Sequence, residues 1–249
     1  MKPLELADLP KVNYDRILHM AAERTANANG WRFIIIGNYD EATIRPLIER
    51  YLGSLPSKGA NPNSKKVTFF KKGVTNNDFT RKMETPKADA NMVWFSEDIP
   101  YTTENAIKAS IAGQILSMVY IKKIREDASA AYTCGAAGSA SIDDKDHNVT
   151  LFAYCPMKPE KADLALQIMR DEVTNLSKQC DASMLAKVKE YMVKEADNEA
   201  KTNGYWAGVI STWYRYGIDL HTDYKALVAK QTPESISNFV KEILKFRLR

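Results

Sequence analysis

Thr102-Thr-Glu-Asn-Ala-Ile-Lys-Ala-Ser-Ile-Ala-Gly-Gln-Ile-Leu-Ser-Met-Val-Tyr-Ile-Lys-Lys-Ile-Arg-Glu-Asp-Ala-Ser-Ala-Ala-Tyr-Thr-Cys-Gly-Ala-Ala-Gly-Ser139 is the stretch whose reading decides the fold. Ile107, Ile111, Ile115 and Val119 recur every fourth residue, and Leu116, Met118 and Ile124 widen the stripe, which predicts an amphipathic helix. Ala106, Ala109, Ala112 and Gly113 leave room for a close neighbour. Thr102 or Thr103 can cap the start, and Glu104 suits the positive helix end. The helix is expected to stop near Asp127, and the glycine-rich run from Tyr132 to Ser139 reads as a strand. Arg125 at the helix end and Tyr132 at the strand start would then be held seven residues apart.

The composition around this stretch is that of an ordinary globular chain: 249 residues, 45% hydrophobic and 27% charged. That length suits one large domain or two small ones. The net charge of +4 is spread, not clustered, and gives no nucleic-acid footprint. Apolar runs such as Phe33-Ile-Ile-Ile36 are too short to span a bilayer, and Met1-Lys-Pro-Leu-Glu-Leu-Ala-Asp8 lacks the apolar core of a signal peptide. Cys134, Cys155 and Cys180 have no metal-ligand spacing and read as buried free thiols.

Upstream, residues 1–12 read as an extended tail, Tyr14 to Asn27 as a helix and Trp31 to Ile36 as a strand. Asp40 should cap a helix from Glu41 to Tyr51 that turns Ile44, Leu47 and Ile48 inward. One strand between two helices cannot bury a sheet face, so residues 1–56 are expected to be the C-terminal end of a preceding α+β domain. Residues 57–65 form a linker by composition, and 66–249 a complete α+β domain. Within it, Val67 to Phe70, Phe79 to Met83, Asn91 to Ser96 and Val149 to Tyr154 read as further strands. Helices are expected over Glu160–Lys178, over Ala182–Tyr216 with a break near Asn203-Gly204, and over Pro233–Phe246. The fold class is α+β: an antiparallel-rich sheet with helices packed on one face.

Ile124-Arg125 and Ala131-Tyr132 resemble a paired Arg and Tyr in the C-terminal half of pitrilysin/insulinase-type zinc metallopeptidases, the inverted-motif family. Gly37-Asn-Tyr-Asp40, a helix and Tyr51-Leu-Gly-Ser-Leu-Pro56 are similar to the closing unit of a domain there. Asn203-Gly-Tyr-Trp206 resembles a stretch of the family's long helix, so the likeness covers nearly the whole chain. It implies the paired α+β domains of mitochondrial processing peptidase-like enzymes, a peptide substrate, and a periplasmic or cell-envelope location as in bacterial members. It also implies a partner: the catalytic, zinc-bearing half of the same polypeptide. Tyr132 would be the catalytic residue, its phenol hydrogen-bonding the oxyanion, and Arg125 would bind substrate through a neighbouring carbonyl.

The family's His-x-x-Glu-His motif is absent: His19, His147 and His221 each lack a partner histidine at the required spacing. No metal is therefore expected in this chain, with zinc confined to the missing half, and no peptidase activity is expected from the chain alone. A different implication is a non-catalytic scaffold of the same fold, like core subunits that lost catalysis. Without the resemblance, Arg125 reads as a helix-end residue paired with Glu126 or Asp127, and Tyr132 as a core tyrosine. Asp143, Asp144 and Asp146 read as a solvated hairpin turn, since the glycine and glutamate of a calcium loop are missing. Tyr205, Trp206, Trp213, Tyr214 and Tyr216 read as a packing group on a helix.

Overall fold

The computed structural model describes residues 5–59, 73–143 and 146–245. The chain divides into two compact units, Met1–Lys65 and Lys66–Arg249. In the first, a 3-10 turn, Leu6–Lys11, precedes α1 (Tyr14–Thr25) and α2 (Glu41–Tyr51). Asn13 and Asp40 cap the two helices, each side chain accepting from the backbone N–H three residues on, at 2.8 Å. Trp31–Ile36, expected as a strand, joins no ladder among the described residues. The reason is that a strand needs a partner to receive its N–H and C=O groups. None of the described residues of this unit is buried, and Leu47, expected inward, is 48% exposed.

The second unit contains β1 (Ala88–Ser96), α3 (Thr103–Tyr120) with a π-helical turn (Ile121–Asp127), β2 (Gly135–Asp143) and β3 (Asp146–Met157). Helices α4 (Ala162–Lys178), α5 (Ala182–Glu199), α6 (Asn203–Tyr216), α7 (Tyr224–Ala229) and α8 (Pro233–Leu244) follow. The strands pair antiparallel in the order β1-β3-β2. Phe79–Met83 is not a strand; Phe79 and Met83 are largely exposed and no described neighbour pairs with them. The expected strand from Val67 to Phe70 lies outside the described residues.

Alternation on β3 sets the layers. Val149, Leu151, Ala153, Cys155 and Met157 are buried, whereas Phe152 and Tyr154 on the opposite face are exposed. Helices α3, α4 and α8 supply the other side of the core, through Ile111, Leu116, Met169, Val173, Ile236 and Val240 among others. The stripe expected on α3 is buried at Ile107, Ile111 and Ile115. Thr102 caps that helix by accepting from the Asn105 N–H at 3.0 Å.

The long helix expected from Ala182 is two helices. The break falls at Thr202, whose hydroxyl accepts from the Tyr205 N–H at 3.2 Å and so caps α6. The packing role expected of the α6 aromatics holds only in part. No α6 residue is fully buried, and Trp213 and Tyr214 are more than half exposed. Trp206 is half-buried and its indole N–H donates to the Ala200 carbonyl at 2.8 Å. Helix α7 has too few turns to show a hydrophobic period, and sequence patterning passes over it. Cys134, Cys155 and Cys180 are buried free thiols, and burial pushes each of them up.

Candidate functional site

Arg125 and Tyr132 are brought together. The Arg125 Cζ lies 5.7 Å from the centre of the Tyr132 ring, a cation–π contact. Their positions follow from the way α3 ends. Ile124 is fully buried and anchors the last turn. The turn then widens: the Ala128 N–H donates to the Lys123 carbonyl, five residues back, at 3.1 Å. Next the Ala130 N–H reaches the Ile124 carbonyl at 2.9 Å, and Ser129 takes a left-handed φ of 49°. A serine there costs ~1–3 kcal/mol relative to ordinary backbone, so surrounding contacts must hold it. Ala130 provides them: it is fully buried, and its carbonyl accepts from the Lys158 N–H just past β3 at 3.1 Å.

This clamp corrects the expectation that Tyr132 starts the strand. The ladder begins at Gly135, opposite Tyr154. Tyr132 sits in the preceding loop because Ala130 ties the chain to the end of β3 before pairing with β2 begins. Tyr132 is 88% exposed, so it is no core tyrosine. Arg125 is exposed as well. The helix-end pairing with Glu126 or Asp127 is taken by a different cation: Lys122 lies 2.7 Å from Asp127 and 3.7 Å from Glu126. Arg125 is thus left stacked on Tyr132, with the buried Cys134 close enough to feel its charge.

Chemically, the pair offers a phenol donor and a planar guanidinium on one exposed patch, fitted to hydrogen-bond carbonyl or oxyanion oxygens. It offers no metal ligand. Among the described residues there is no group of three or more His, Cys, Asp or Glu placed to hold an ion. His19 faces Glu23 at 3.5 Å on one exposed helix turn, and His221 shares a 2.8 Å hydrogen bond with the Tyr205 hydroxyl. His147 is half-buried on β3. A zinc site does not fit the residues described. No helix among them is long and apolar enough to cross a membrane.

Neither the π turn nor the left-handed Ser129 was legible in the sequence. A glycine would have flagged the left-handed position, and the chain has Ser129-Ala130 there.

The family model described as the peptidase M16 inactive domain matches residues 12–192. No curated protein matches the chain. Among solved structures, the chain is similar to the periplasmic protease PqqL from Escherichia coli, at 22% identity and a TM-score of 0.61 over 83% of this chain and 23% of that one. It is similar to the ferredoxin protease FusC, solved as a mutant in complex with Arabidopsis ferredoxin, at 17% identity and a TM-score of 0.66 over 97% and 26%. It also matches a peptidase M16 inactive domain from Pseudomonas fluorescens, at 14% identity and a TM-score of 0.67 over 97% and 57%. At these identities the likeness is one of fold. The chain spans about a quarter of the first two proteins. Its three-stranded antiparallel sheet, its helices and the match over most of its length agree: the chain belongs to the peptidase M16 inactive-domain family.

Proposed function

We propose that this chain is the non-zinc-binding, C-terminal portion of a zinc metalloendopeptidase, closing a peptide chamber against the catalytic half and supplying Arg125 and Tyr132 to it. The observation that carries the reading is the exposed Arg125–Tyr132 pair, clamped by a π turn and a left-handed serine. A tyrosine exposed at 88% contributes little to its own domain's core, yet here the backbone is strained to present it. When the scissile carbonyl is attacked in the catalytic half, the Tyr132 hydroxyl donates to the oxyanion. The Arg125 guanidinium donates to a carbonyl one step along the peptide.

Two further observations support the chamber. The sheet face away from the helices exposes Val93, Phe152 and Tyr154, with the last two rings stacked 6.3 Å apart, an apolar wall for an extended peptide. Residues 1–56 bury none of their described side chains, as expected of the end of a domain whose remainder lies elsewhere in the polypeptide; on this reading 57–65 link it to the domain 66–249. A periplasmic or envelope location belongs to the same proposal, supported by the fold likeness to a periplasmic protease.

The test is Tyr132→Phe in the complete polypeptide, or in this chain recombined with the zinc-bearing half. Loss of one oxyanion donor lowers turnover by about a hundred- to thousand-fold. The ring is retained and exposed, so the melting temperature should not move. Near-full turnover in the variant would remove the oxyanion role and favour a scaffold.

A further inference from the structure

We propose that the cavity between α3, α5 and α6 is a subsite for a cationic side chain, lysine or arginine, of a bound peptide. The proposal deepens the peptide-chamber reading and rests on it for the source of the side chain. The cavity has a volume of about 470 Å³ and lies wholly within the second unit. Tyr101, Tyr191, Tyr205 and Tyr224 line it, together with Glu195 and Glu199. Among the described residues that line it there is no lysine, arginine or histidine, although the chain carries 35 lysines and arginines. The charge asymmetry is therefore local and opposite in sign to the net charge.

The arrangement follows from helical spacing. Tyr191, Glu195 and Glu199 stand four residues apart on α5 and form one stripe facing the cavity. Helix α6 lies opposite and brings Tyr205, whose hydroxyl is held by the Nδ1 of His221 at 2.8 Å. Burial raises the phenols of Tyr101, Tyr205 and Tyr224, so they stay neutral and present ring faces and hydroxyl dipoles.

Tyrosine faces attract a cation through the ring quadrupole, and carboxylates at one side fix it by charge-assisted hydrogen bonds. Ile107, Met192 and Val209 also line the space and suit the methylene stem of lysine or arginine. A purely apolar guest would leave Glu195 facing it without a counter-charge. Among the described residues Glu195 has no ion pair or hydrogen bond of its own to satisfy it. An anionic guest would meet two like charges.

The experiment is calorimetric titration of the 249-residue chain with acetyl-Ala-Ala-Arg-Ala-Ala-amide and with the same peptide carrying citrulline, a neutral isostere, for arginine. We expect the arginine peptide to bind at least about tenfold more tightly at low salt, with the difference shrinking as ionic strength rises. The double variant Glu195→Gln/Glu199→Gln should abolish the preference. Tyr191→Leu, at an exposed position that does not hold the core, should weaken arginine binding and spare citrulline binding. Equal affinity for the two peptides, no binding by either, or a preference that survives the double variant would overturn the proposal. Failure here with Tyr132-dependent turnover of the complete polypeptide intact condemns the cavity reading alone.

Discussion

A Cβ placed on Gly113 of α3 would lie 2.1 Å from the backbone nitrogen of Gly138 on β2. The reverse substitution is as tight: a Cβ on Gly138 would fall 1.7 Å from the Ala109 carbonyl oxygen. Helix and strand therefore touch backbone to backbone, which fixes where α3 ends relative to where β2 begins. The Arg125–Tyr132 pair spans that gap. The contact depends on the absence of two side chains, one on each element.

Gly113→Ala should therefore destabilise the chain. Overpacking costs about 1–3 kcal/mol, and the upper end is expected here because the obstruction is backbone, which cannot rotate away. Gly208→Ala on α6, where a Cβ meets nothing within 4 Å, should be neutral or stabilising by up to ~1 kcal/mol through helix propensity. Thermal denaturation of the two variants checks the contrast. Equal melting temperatures would refute the close packing.

Arg125→Lys keeps the charge and loses the planar fork. In the complete polypeptide, substrate binding should weaken and turnover should slow. The melting temperature of this chain should be unchanged, since an exposed cation–π contact is worth only ~0.5–1 kcal/mol and the charge stays near the ring. A thermal shift with intact peptidase kinetics would make Arg125 structural only.

Glu104 ties the start of α3 to the segment before α8. Its carboxylate lies 2.7 Å from Lys230 and 3.1 Å from Lys108, and the Gln231 amide donates to it at 3.3 Å. The Lys230 hydrogen bond above all, with help from Lys108 and Gln231, lowers its pKa to about 2. The folded chain thus holds that proton less readily than the unfolded chain. Its contribution to stability is full above the ordinary glutamate value of about 4.5 and fades as pH falls toward about 2. Glu104→Gln should cost up to ~1 kcal/mol at neutral pH, the range of partly exposed pairs, and the difference from wild type should close between about pH 4.5 and 2. Urea unfolding at several pH values measures it; a gap that persists once the carboxylate is protonated would contradict the assignment.

Tyr120 is fully buried, and its hydroxyl donates to the Met169 carbonyl at 2.9 Å, joining α3 to α4. Burial and the nearby Glu172 push its phenol pKa up, so it remains a neutral donor throughout the ordinary pH range. Tyr120→Phe keeps the ring and removes the bond, at a cost of about 1 kcal/mol. Urea unfolding gives the number, and no measurable loss would show the bond to be energetically idle.

The hydrophobic period of α3, the caps at Asn13, Asp40, Thr102 and Thr232, the alternation on β3 and the lack of paired metal ligands are local properties. Each depends on residues within a few positions of one another, so the sequence by itself determined them. The pairing of Arg125 with Tyr132 was legible only as a spacing set beside a family resemblance. What the spacing did not hold was the mechanism. A π turn and a left-handed serine lead into Ala130, whose clamp to the far end of β3 depends on where Lys158, distant along the chain, comes to rest. The same is true of Trp31–Ile36 and Phe79–Met83. Both have the composition of strands, and neither finds a ladder partner among the described residues. Strand propensity is local; the partner that satisfies the backbone is not, and only the tertiary structure supplies or withholds it.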